Sequence, residues 1–300
     1  MKKYFSFVKI EHTLFSLPVI YAGMALGYLA IIRNSEPAPS ALLLWKIGAW
    51  ILLAATGART VGFAMNRIVD RHIDAKNPRT AIRDLPTGRM SLRQAYGVLI
   101  TGTALYLFAA LQLNTLCLAL SPIPLGVFCI YPFLKRYTVL AHFGVGLSLA
   151  LGPLGGYFAI RPIVDIAILP VVFLTLFTWL WVSGFDIIYS TSDEEFDKRE
   201  GLFSFPSKFG KKKALQYSGI IHIFAFALLA GLYLSAFFGS IIVASLLLCS
   251  GYLLYLEQKK ADDVELAFFK INAVLGFVIF TFVIIGVEQK RSYDDTAKKS

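Results

Sequence analysis

Two groups of acidic, amide and phenolic side chains interrupt a chain that is otherwise strongly apolar. Their members recur at steps of three or four residues. They are Asn66, Asp70 and Asp74 in the first acidic cluster, and Asp186, Tyr189, Asp193 and Asp197 in the second acidic cluster. A four-residue step advances an α-helix by only about 40° around its axis, so each cluster can present its oxygens along one helical face. Acids near a bilayer are costly and are functional candidates by default.

Oxygen ligands of this kind suit Mg²⁺, which typically binds one or two carboxylates together with waters and substrate phosphates. Taken alone, the first cluster allows another interpretation, a solvated helix end in which Arg67 and Arg71 pair with the acids. The same spacing on a second helix end favours the metal site. Two Mg²⁺ ions held by opposed acids could bind a diphosphate and offset the charge on its departing oxygens.

Basic side chains near the clusters are candidates for binding phosphate oxygens. These are Arg71, Lys135, Arg79 and Arg83. Arg79 and Arg83 would equally suit a cytoplasmic loop of a membrane protein, which carries Lys and Arg for topological reasons. Arg59 lies deeper in an apolar segment and needs a partner there. It could pair with the carboxylate of a bound molecule, or bridge to Asp186 or to a backbone carbonyl.

The composition predicts a membrane protein with many spans. Hydrophobic residues make up 57% of the 300 residues and charged residues 16%, with a mean hydropathy of +0.65. Soluble domains are typically about 25% charged. The net charge of +10 does not indicate nucleic-acid binding, because the basic residues gather in short loops between apolar segments.

The apolar segments predict an all-α membrane protein with nine spanning helices. A span needs about 20 mainly apolar residues. The predicted spans are 14–32, 42–65, 94–112, 115–134, 139–160, 165–186, 214–236, 238–256 and 267–287. They form a single transmembrane domain over residues 1–287, followed by a polar tail over residues 288–300.

The distribution of Lys and Arg predicts the orientation of these spans. With the N-terminus in the cytoplasm, the inside segments hold 20 basic residues, and the short outside loops hold only Arg33 and Arg161. Nine spans place the short basic tail outside, against this trend. Both acidic clusters then end their spans, the second and the sixth, on the cytoplasmic side. We expect an integral protein of the plasma membrane with its active-site loops in the cytoplasm.

Three motifs of this chain occur together, in this order, in one family of membrane enzymes. They are N-x-x-x-D-x-x-x-D at Asn66, Asp70 and Asp74, Y-x-x-x-K at Tyr131 and Lys135, and D-x-x-x-D at Asp193 and Asp197, preceded by D-x-x-Y at Asp186 and Tyr189. The chain resembles the UbiA family of membrane-intrinsic prenyltransferases, and the resemblance covers nearly its whole length.

The resemblance implies a fold and a reaction. In the family, nine helices surround a central cavity, and the cytoplasmic loops that carry the motifs cap it. An isoprenyl diphosphate binds with Mg²⁺, and its tail lies in an apolar tunnel that opens towards lipid. Diphosphate leaves, and the allylic carbocation alkylates an electron-rich acceptor. Bulk water must be kept away from this cation until the acceptor attacks.

The resemblance also implies roles for individual residues. Asn66 and Asp70 would hold one Mg²⁺ and Asp193 and Asp197 the other, with Asp74 and Asp186 completing the coordination or orienting it through waters. Arg71 and Lys135 would bind diphosphate oxygens, and Tyr131 and Tyr189 would donate hydrogen bonds or face the cation with their rings. The candidate catalytic residues are Asp70, Asp74, Asp193, Asp197, Tyr131 and Lys135. One of the acids is the natural base for the final proton, and the motifs do not choose among them.

The predicted acceptor is 4-hydroxybenzoate or a similar aromatic acid, which would place the enzyme in lipoquinone synthesis. A naphthoate, haem and a glycerol-phosphate lipid are alternative acceptors within the family. A cation-coupled transporter is the alternative from another class. Transporters place ionisable residues near the bilayer midplane on broken helices, whereas the acids here lie at one face.

Overall fold

The computed structural model of the protein describes residue 7, residues 13–264 and residues 266–297. Five lysines that contribute to the expected charge pattern lie outside these residues. They are Lys2, Lys3 and Lys9 near the N-terminus and Lys298 and Lys299 in the tail.

The described residues form helices and turns without strands, and nine helical segments among them are long and apolar enough to cross a membrane. The α-helices are α1 (Thr13–Arg33), α2 (Ala41–Lys76), α3 (Leu92–Leu113), α4 (Thr115–Leu120), α5 (Pro122–Leu134), α6 (Ala141–Ile160), α7 (Leu169–Ser190), α8 (Glu194–Glu200), α9 (Phe205–Phe209), α10 (Lys211–Leu232), α11 (Ile241–Lys259) and α12 (Asn272–Ala297). The fold class is therefore confirmed. Helices α4 and α5 together make the fourth span, and they meet at Pro122, whose ring nitrogen cannot donate a hydrogen bond.

Helix α2 carries the first acidic cluster beyond the apolar segment. Its N-terminus is capped by Ser40, whose hydroxyl accepts a hydrogen bond from the Leu43 amide at 3.3 Å. The helix has 36 residues, or about 54 Å at 1.5 Å per residue, compared with about 30 Å for the hydrocarbon core of a bilayer. The predicted span ended at residue 65, but the helix continues without a break to Lys76.

The second acidic cluster does not lie on one helix. A 3₁₀ turn, Thr191–Asp193, separates α7 from α8. The hydroxyls of Ser190 and Thr191 donate to backbone carbonyls three residues earlier, at 2.8 and 2.7 Å. Such local bonds compete with regular helix. The expectation of one shared helical face is therefore wrong for this cluster, because Asp186 precedes the turn and Asp197 follows it.

Helices α1 and α6 approach each other at small residues. A Cβ atom built on Gly23 would lie 2.0 Å from the Pro153 carbonyl oxygen, and one on Gly156 would lie 2.1 Å from that of Ile20. Small residues allow backbones to come this close in membrane proteins. The crossing brings α1 and α6 together beside the cavity that both helices line.

A cavity of about 520 Å³ lies among the first six spans and is lined by residues of α1 to α7. Helix α10 packs against α7, and α12 packs against α1 and α11. The main apolar core lies among these helices and includes Phe177, Trp181, Leu229, Phe237 and Phe282. The cavity is therefore off-centre, with a packed core on one side.

Candidate active site

Asp70 lies at the centre of the first acidic cluster and is 1% exposed. Its Oδ2 accepts hydrogen bonds from Asn66 Nδ2 at 3.2 Å and from Lys135 Nζ at 2.6 Å. Its Oδ1 accepts a hydrogen bond from Arg136 Nη2 at 3.2 Å. Lys135 and Arg136 directly follow α5, so the end of that helix supplies two cations to one buried carboxylate. Lys135, which the motifs predict to bind diphosphate oxygens, thus lies at the first acidic cluster, and its role in binding diphosphate stays a prediction.

Asp74 lies one turn further along α2 and is also buried. Nη1 of Arg83, from the loop after α2, donates to both carboxylate oxygens at 2.7 and 2.8 Å. Arg67 Nη1 lies 4.0 Å from the same carboxylate. The Thr80 hydroxyl donates to the Asp74 backbone oxygen at 3.1 Å and holds the loop against the end of the helix.

Asp193 receives its partners from that same loop. Its Oδ1 accepts hydrogen bonds from Asn77 Nδ2 at 2.8 Å and from Arg79 Nε at 3.0 Å. Arg79 also contacts the Tyr189 hydroxyl, and its guanidinium carbon lies 4.8 Å from the centre of the Tyr189 ring. Burial lowers the pKa of Arg79, but the hydrogen bonds to Asp193 outweigh this effect and raise the pKa above its ordinary value. Arg79 is therefore a permanent cation that connects the loop after α2 to the second acidic cluster.

The segment after α8 connects the second cluster to α5. The Leu202 amide donates to the Asp197 backbone oxygen at 2.8 Å, and the Phe203 amide donates to the Lys135 backbone oxygen at 2.7 Å. Two loops thus join the clusters at this end of the molecule. One follows α2 and reaches Asp193, and the other follows α8 and reaches Lys135.

Asp186 lies in the wall of the cavity, unlike the other four acids of the clusters. Its Oδ2 is 2.6 Å from Nδ1 of His142 on α6. Nε2 of the same imidazole accepts a hydrogen bond from the Phe205 backbone amide at 3.3 Å. His142 is 5% exposed.

Tyr131 and Arg59 line the same cavity. The Tyr131 hydroxyl donates to the Gly62 backbone oxygen at 3.3 Å. The Arg59 guanidinium lies 4.7 Å from the centre of the Phe63 ring. Among the described residues, the mainly apolar walls of the cavity therefore include one carboxylate, two phenols (Tyr106 and Tyr131) and one guanidinium.

The geometry favours Arg79 and Arg83 over Arg71 as cations of the site. Arg71 Nη1 donates to the backbone carbonyl of Ile68 on its own helix, at 2.9 Å. Its predicted role in binding diphosphate stays a prediction.

Three site residues were not singled out from the sequence, namely Asn77, Arg136 and His142. Asn77 and Arg136 adjoin the motifs and could have been found by their proximity in the chain. His142 lies 44 residues from Asp186 and has no local signal.

The donor set of the clusters fits Mg²⁺. No group of three His, Cys, Asp or Glu side chains converges on one point among the described residues. Mg²⁺ does not need such a group, since one or two carboxylates suffice when phosphates and waters complete its shell. Asn66 and Asp70 are in contact through their side chains and offer hard oxygen atoms. The buried carboxylates, together with the cations that already neutralise them, form a site suited to a metal-bound anion.

Fold and site together define an integral membrane protein that brings acidic and basic groups to one end of an apolar cavity. The chain belongs to the UbiA prenyltransferase family, whose family model matches residues 16–283. It is thus an enzyme of the prenyltransferase class.

Two relatives carry the name 4-hydroxybenzoate octaprenyltransferase. The protein of Francisella tularensis subsp. novicida is 28% identical over 280 residues, covering 86% of this chain and 96% of the relative. That of Pectobacterium carotovorum subsp. carotovorum is 29% identical over 287 residues, covering 89% and 99%.

Solved structures show the same fold. The apo structure of a UbiA homolog from Aeropyrum pernix K1 has a TM-score of 0.80 and 33% identity, covering 92% of this chain and 98% of that one. A UbiA homolog from Archaeoglobus fulgidus, bound to GPP and Mg²⁺, has a TM-score of 0.72 and 19% identity, covering 95% and 99%.

Proposed function

We propose that the protein transfers an isoprenyl group from an isoprenyl diphosphate to an aromatic acid of the 4-hydroxybenzoate type, in a Mg²⁺-dependent reaction. The observation that carries the proposal is the continuity of two acidic clusters with an apolar cavity. The end of α5 supplies Lys135 to Asp70, and one turn earlier it supplies Tyr131 to the cavity wall. The names of the two relatives support the aromatic acceptor.

The clusters supply the groups that a metal-bound diphosphate needs. We assign Asn66 and Asp70 to one Mg²⁺ and Asp193 and Asp197 to another, with Asp74 in support. The Archaeoglobus fulgidus homolog of the same fold, bound to GPP and Mg²⁺, supports Mg²⁺ and an isoprenyl diphosphate as the ligands. When bound, Mg²⁺ supplies positive charge that stabilises the leaving diphosphate.

The cations of the site have a second role in this proposal. Lys135, Arg83 and Arg79 pair with the carboxylates of Asp70, Asp74 and Asp193, respectively. When a metal diphosphate binds, the carboxylates can turn to the metal and these side chains can turn to the phosphate oxygens. Fixed cations stabilise the diphosphate more strongly as it leaves, because negative charge builds up on it in the transition state.

The cavity suits the reacting end of the isoprenyl chain. Its walls include Ile51, Phe128, Leu149, Val182 and Phe185. Apolar walls exclude bulk water, and aromatic faces attract a cation. A lining of this kind protects the allylic carbocation from hydrolysis.

Two charged groups in the cavity wall match the two ends of an aromatic hydroxy acid. We assign the acceptor's carboxylate to Arg59 and its hydroxyl to Asp186.

The reaction begins when the allylic carbon–oxygen bond breaks with its electron pair on the diphosphate. A π pair of the acceptor ring then forms the new carbon–carbon bond, and the ring proton leaves to a base. We assign this base to Asp186, because it is the acid of the two clusters that lies in the cavity wall, whereas Asp70, Asp74, Asp193 and Asp197 lie outside the lining.

We also infer that the acidic clusters face the cytoplasm and that the protein lies in the plasma membrane. The excess of Lys and Arg on the side of the clusters supports this orientation. It would place the diphosphate site in contact with a soluble pool of Mg²⁺ and aromatic acid.

An assay of the purified protein tests the proposal. A labelled isoprenyl diphosphate is supplied with Mg²⁺ and a panel of acceptors, comprising 4-hydroxybenzoate, a hydroxynaphthoate, haem and a glycerol-phosphate lipid. We expect a prenylated aromatic acid, and we expect that a chelator of divalent cations stops diphosphate release. Transfer to haem or to the lipid alone would refute the proposed acceptor. Diphosphate release that continues unchanged in the chelator would refute the role of the metal.

A further inference from the structure

The strongest feature outside the acid–cation pairs is the imidazole of His142. It is buried and bonded at both nitrogens, to the Asp186 carboxylate on one side and to the Phe205 amide on the other. A backbone N–H can only donate, so Nε2 must accept and carries no proton in this arrangement. The neutral ring therefore has its proton on Nδ1, which donates to Asp186 Oδ2. The geometry defines the tautomer without reference to any ligand.

The Phe205 amide is itself held in place. It belongs to α9, whose N-terminus is closed by a reciprocal pair of bonds. The Ser207 amide donates to Ser204 Oγ at 3.2 Å, and the Ser204 amide donates to Ser207 Oγ at 2.8 Å. The His142 and Phe205 rings also pack together, with centroids 5.8 Å apart. The imidazole is thus fixed by the segment that follows the second acidic cluster.

We propose that His142 is a positioning residue for the transfer reaction, fixing the Asp186 carboxylate in the cavity wall so that its other oxygen faces the acceptor. This inference rests on the proposed function, because it gives Asp186 the acceptor side of the reaction. Oδ1 of Asp186 accepts no hydrogen bond from the described residues. It is therefore the oxygen left for the acceptor's hydroxyl.

His142 could instead act only by holding Phe205 in place, which would be a purely structural role. Two near-isosteric variants each keep one of its two hydrogen bonds and so distinguish this role from the positioning of Asp186. In His142→Asn, the amide nitrogen can take the place of Nδ1 and keep the bond to Asp186. In His142→Gln, the longer side chain can place its oxygen near Nε2 and keep the bond to Phe205 instead. His142→Leu removes both bonds. The matched control is His72→Asn, which changes an exposed histidine on α2.

The measurements are the kcat/KM for the aromatic acid, the KM for the isoprenyl diphosphate and the thermal midpoint of the purified protein. A hydrogen bond to a charged group typically changes such parameters by roughly ten- to a hundredfold. We expect a loss of about this size in kcat/KM for the aromatic acid in His142→Gln and His142→Leu. We expect His142→Asn and His72→Asn to stay close to wild type, and the KM for the diphosphate to be unchanged in all four variants.

The inference is overturned if His142→Gln retains transfer and His142→Asn loses it, because the tether to Phe205 would then be what matters. It is also overturned if His142→Leu folds and transfers the isoprenyl group at the wild-type rate. The same holds if the loss of kcat/KM in each variant parallels the fall of its thermal midpoint and His142→Asn does not restore activity. The activity of the wild-type protein with an aromatic acid distinguishes failure of this inference from failure of the proposed function. A wild type that prenylates no aromatic acid refutes the proposed function and the inference with it, whereas an active wild type with an unaffected His142→Leu refutes the inference alone.

Discussion

Two acidic residues of the site are buried although they carry charge. Asp70 and Asp74 are almost fully buried in a helix that continues a membrane span, and each is paired with Lys or Arg. Buried ion pairs are weak evidence for stability, because desolvation offsets much of their attraction. Their presence beside an apolar cavity is better explained by a ligand that exchanges with the pairs, as a metal diphosphate would.

Removing one carboxylate from either cluster tests this explanation. We expect Asp70→Asn and Asp193→Asn each to lower Mg²⁺-dependent transfer by at least about a hundredfold, because each removes a negatively charged metal ligand. Both proteins should remain folded, as judged by circular dichroism and elution from a sizing column. The matched control is Asp84→Asn. Asp84 is a buried acid in the loop after α2, and it pairs with Arg89 at 2.9 Å. Full activity in both cluster variants would refute the two-cluster site.

A different group of charges at the opposite end of the spans predicts a pH effect on stability. Arg161 is 2% exposed, and its guanidinium donates to Asp165 at 2.7 and 2.9 Å and to Glu36 at 2.6 Å. These hydrogen bonds lower the pKa of both carboxyl groups. A lowered pKa in the folded state stabilises the protein above the pKa of the unfolded chain, and this contribution is lost as the pH falls through the folded value.

We therefore expect the thermal midpoint in detergent to fall as the pH is lowered below about 4, the ordinary range of these carboxyl groups. The fall of the thermal midpoint should be smaller in Asp165→Asn, which lacks one of the titrating groups. The thermal midpoints of wild type and Asp165→Asn should therefore converge at the lowest pH. Equal pH profiles for wild type and Asp165→Asn would contradict this account of the cluster around Arg161.

At the scale of elements, the crossing of α1 and α6 shapes one wall of the cavity. We expect Gly156→Ala to destabilise the protein by about 1–3 kcal/mol, because its Cβ would lie 2.1 Å from a backbone oxygen of α1 and force the helices apart. Gly155→Ala is the matched control, since a Cβ there meets nothing within 4 Å. The measurement is the thermal midpoint of both variants in the same detergent. Equal midpoints would show that the crossing adapts without cost.

Local periodicity explains which elements could be predicted from the sequence. The first acidic cluster follows one uninterrupted helix, so its spacing correctly indicated a shared face. The chain after Asp186 does not continue as one helix, because the hydroxyls of Ser190 and Thr191 donate to backbone carbonyls and favour a 3₁₀ turn. Spacing cannot reveal such competition between hydrogen bonds.

Contacts between distant segments were beyond the reach of the sequence. Arg79 meets Asp193 from 114 residues away, and Lys135 meets Asp70 from 65 residues away. The motifs indicated that these residues belong to one site, but only the packing of the loops showed which cation meets which acid. For His142 no motif existed, and its role emerged from the tertiary structure alone.

At the scale of the whole molecule, an asymmetric charge distribution matches the proposed chemistry. The acidic clusters and most basic loops lie at one end of the spans, and the Arg161 group lies at the other. Large apolar side chains such as Trp45, Ile166 and Ile241 are more than 80% exposed, as expected for surfaces that contact lipid. Under the proposed function, the diphosphate head would bind at the end of the spans that carries the clusters, and the apolar isoprenyl tail would lie among the spans.

Cysteine labelling tests the orientation of this asymmetry. Pro78 lies in the loop after α2, on the side of the acidic clusters, and Pro162 lies after α6 on the opposite side, both exposed. In a background in which Cys117, Cys129 and Cys249 are replaced by Ser or Ala, we expect Pro162→Cys in intact cells to react with a membrane-impermeant maleimide. Pro78→Cys should react only after the membrane is opened, because positive loops remain in the cytoplasm. The background protein without either new cysteine is the control for each labelling. The reverse pattern would overturn the topology, and it would place the diphosphate site on the side away from the cytoplasmic supply of substrate.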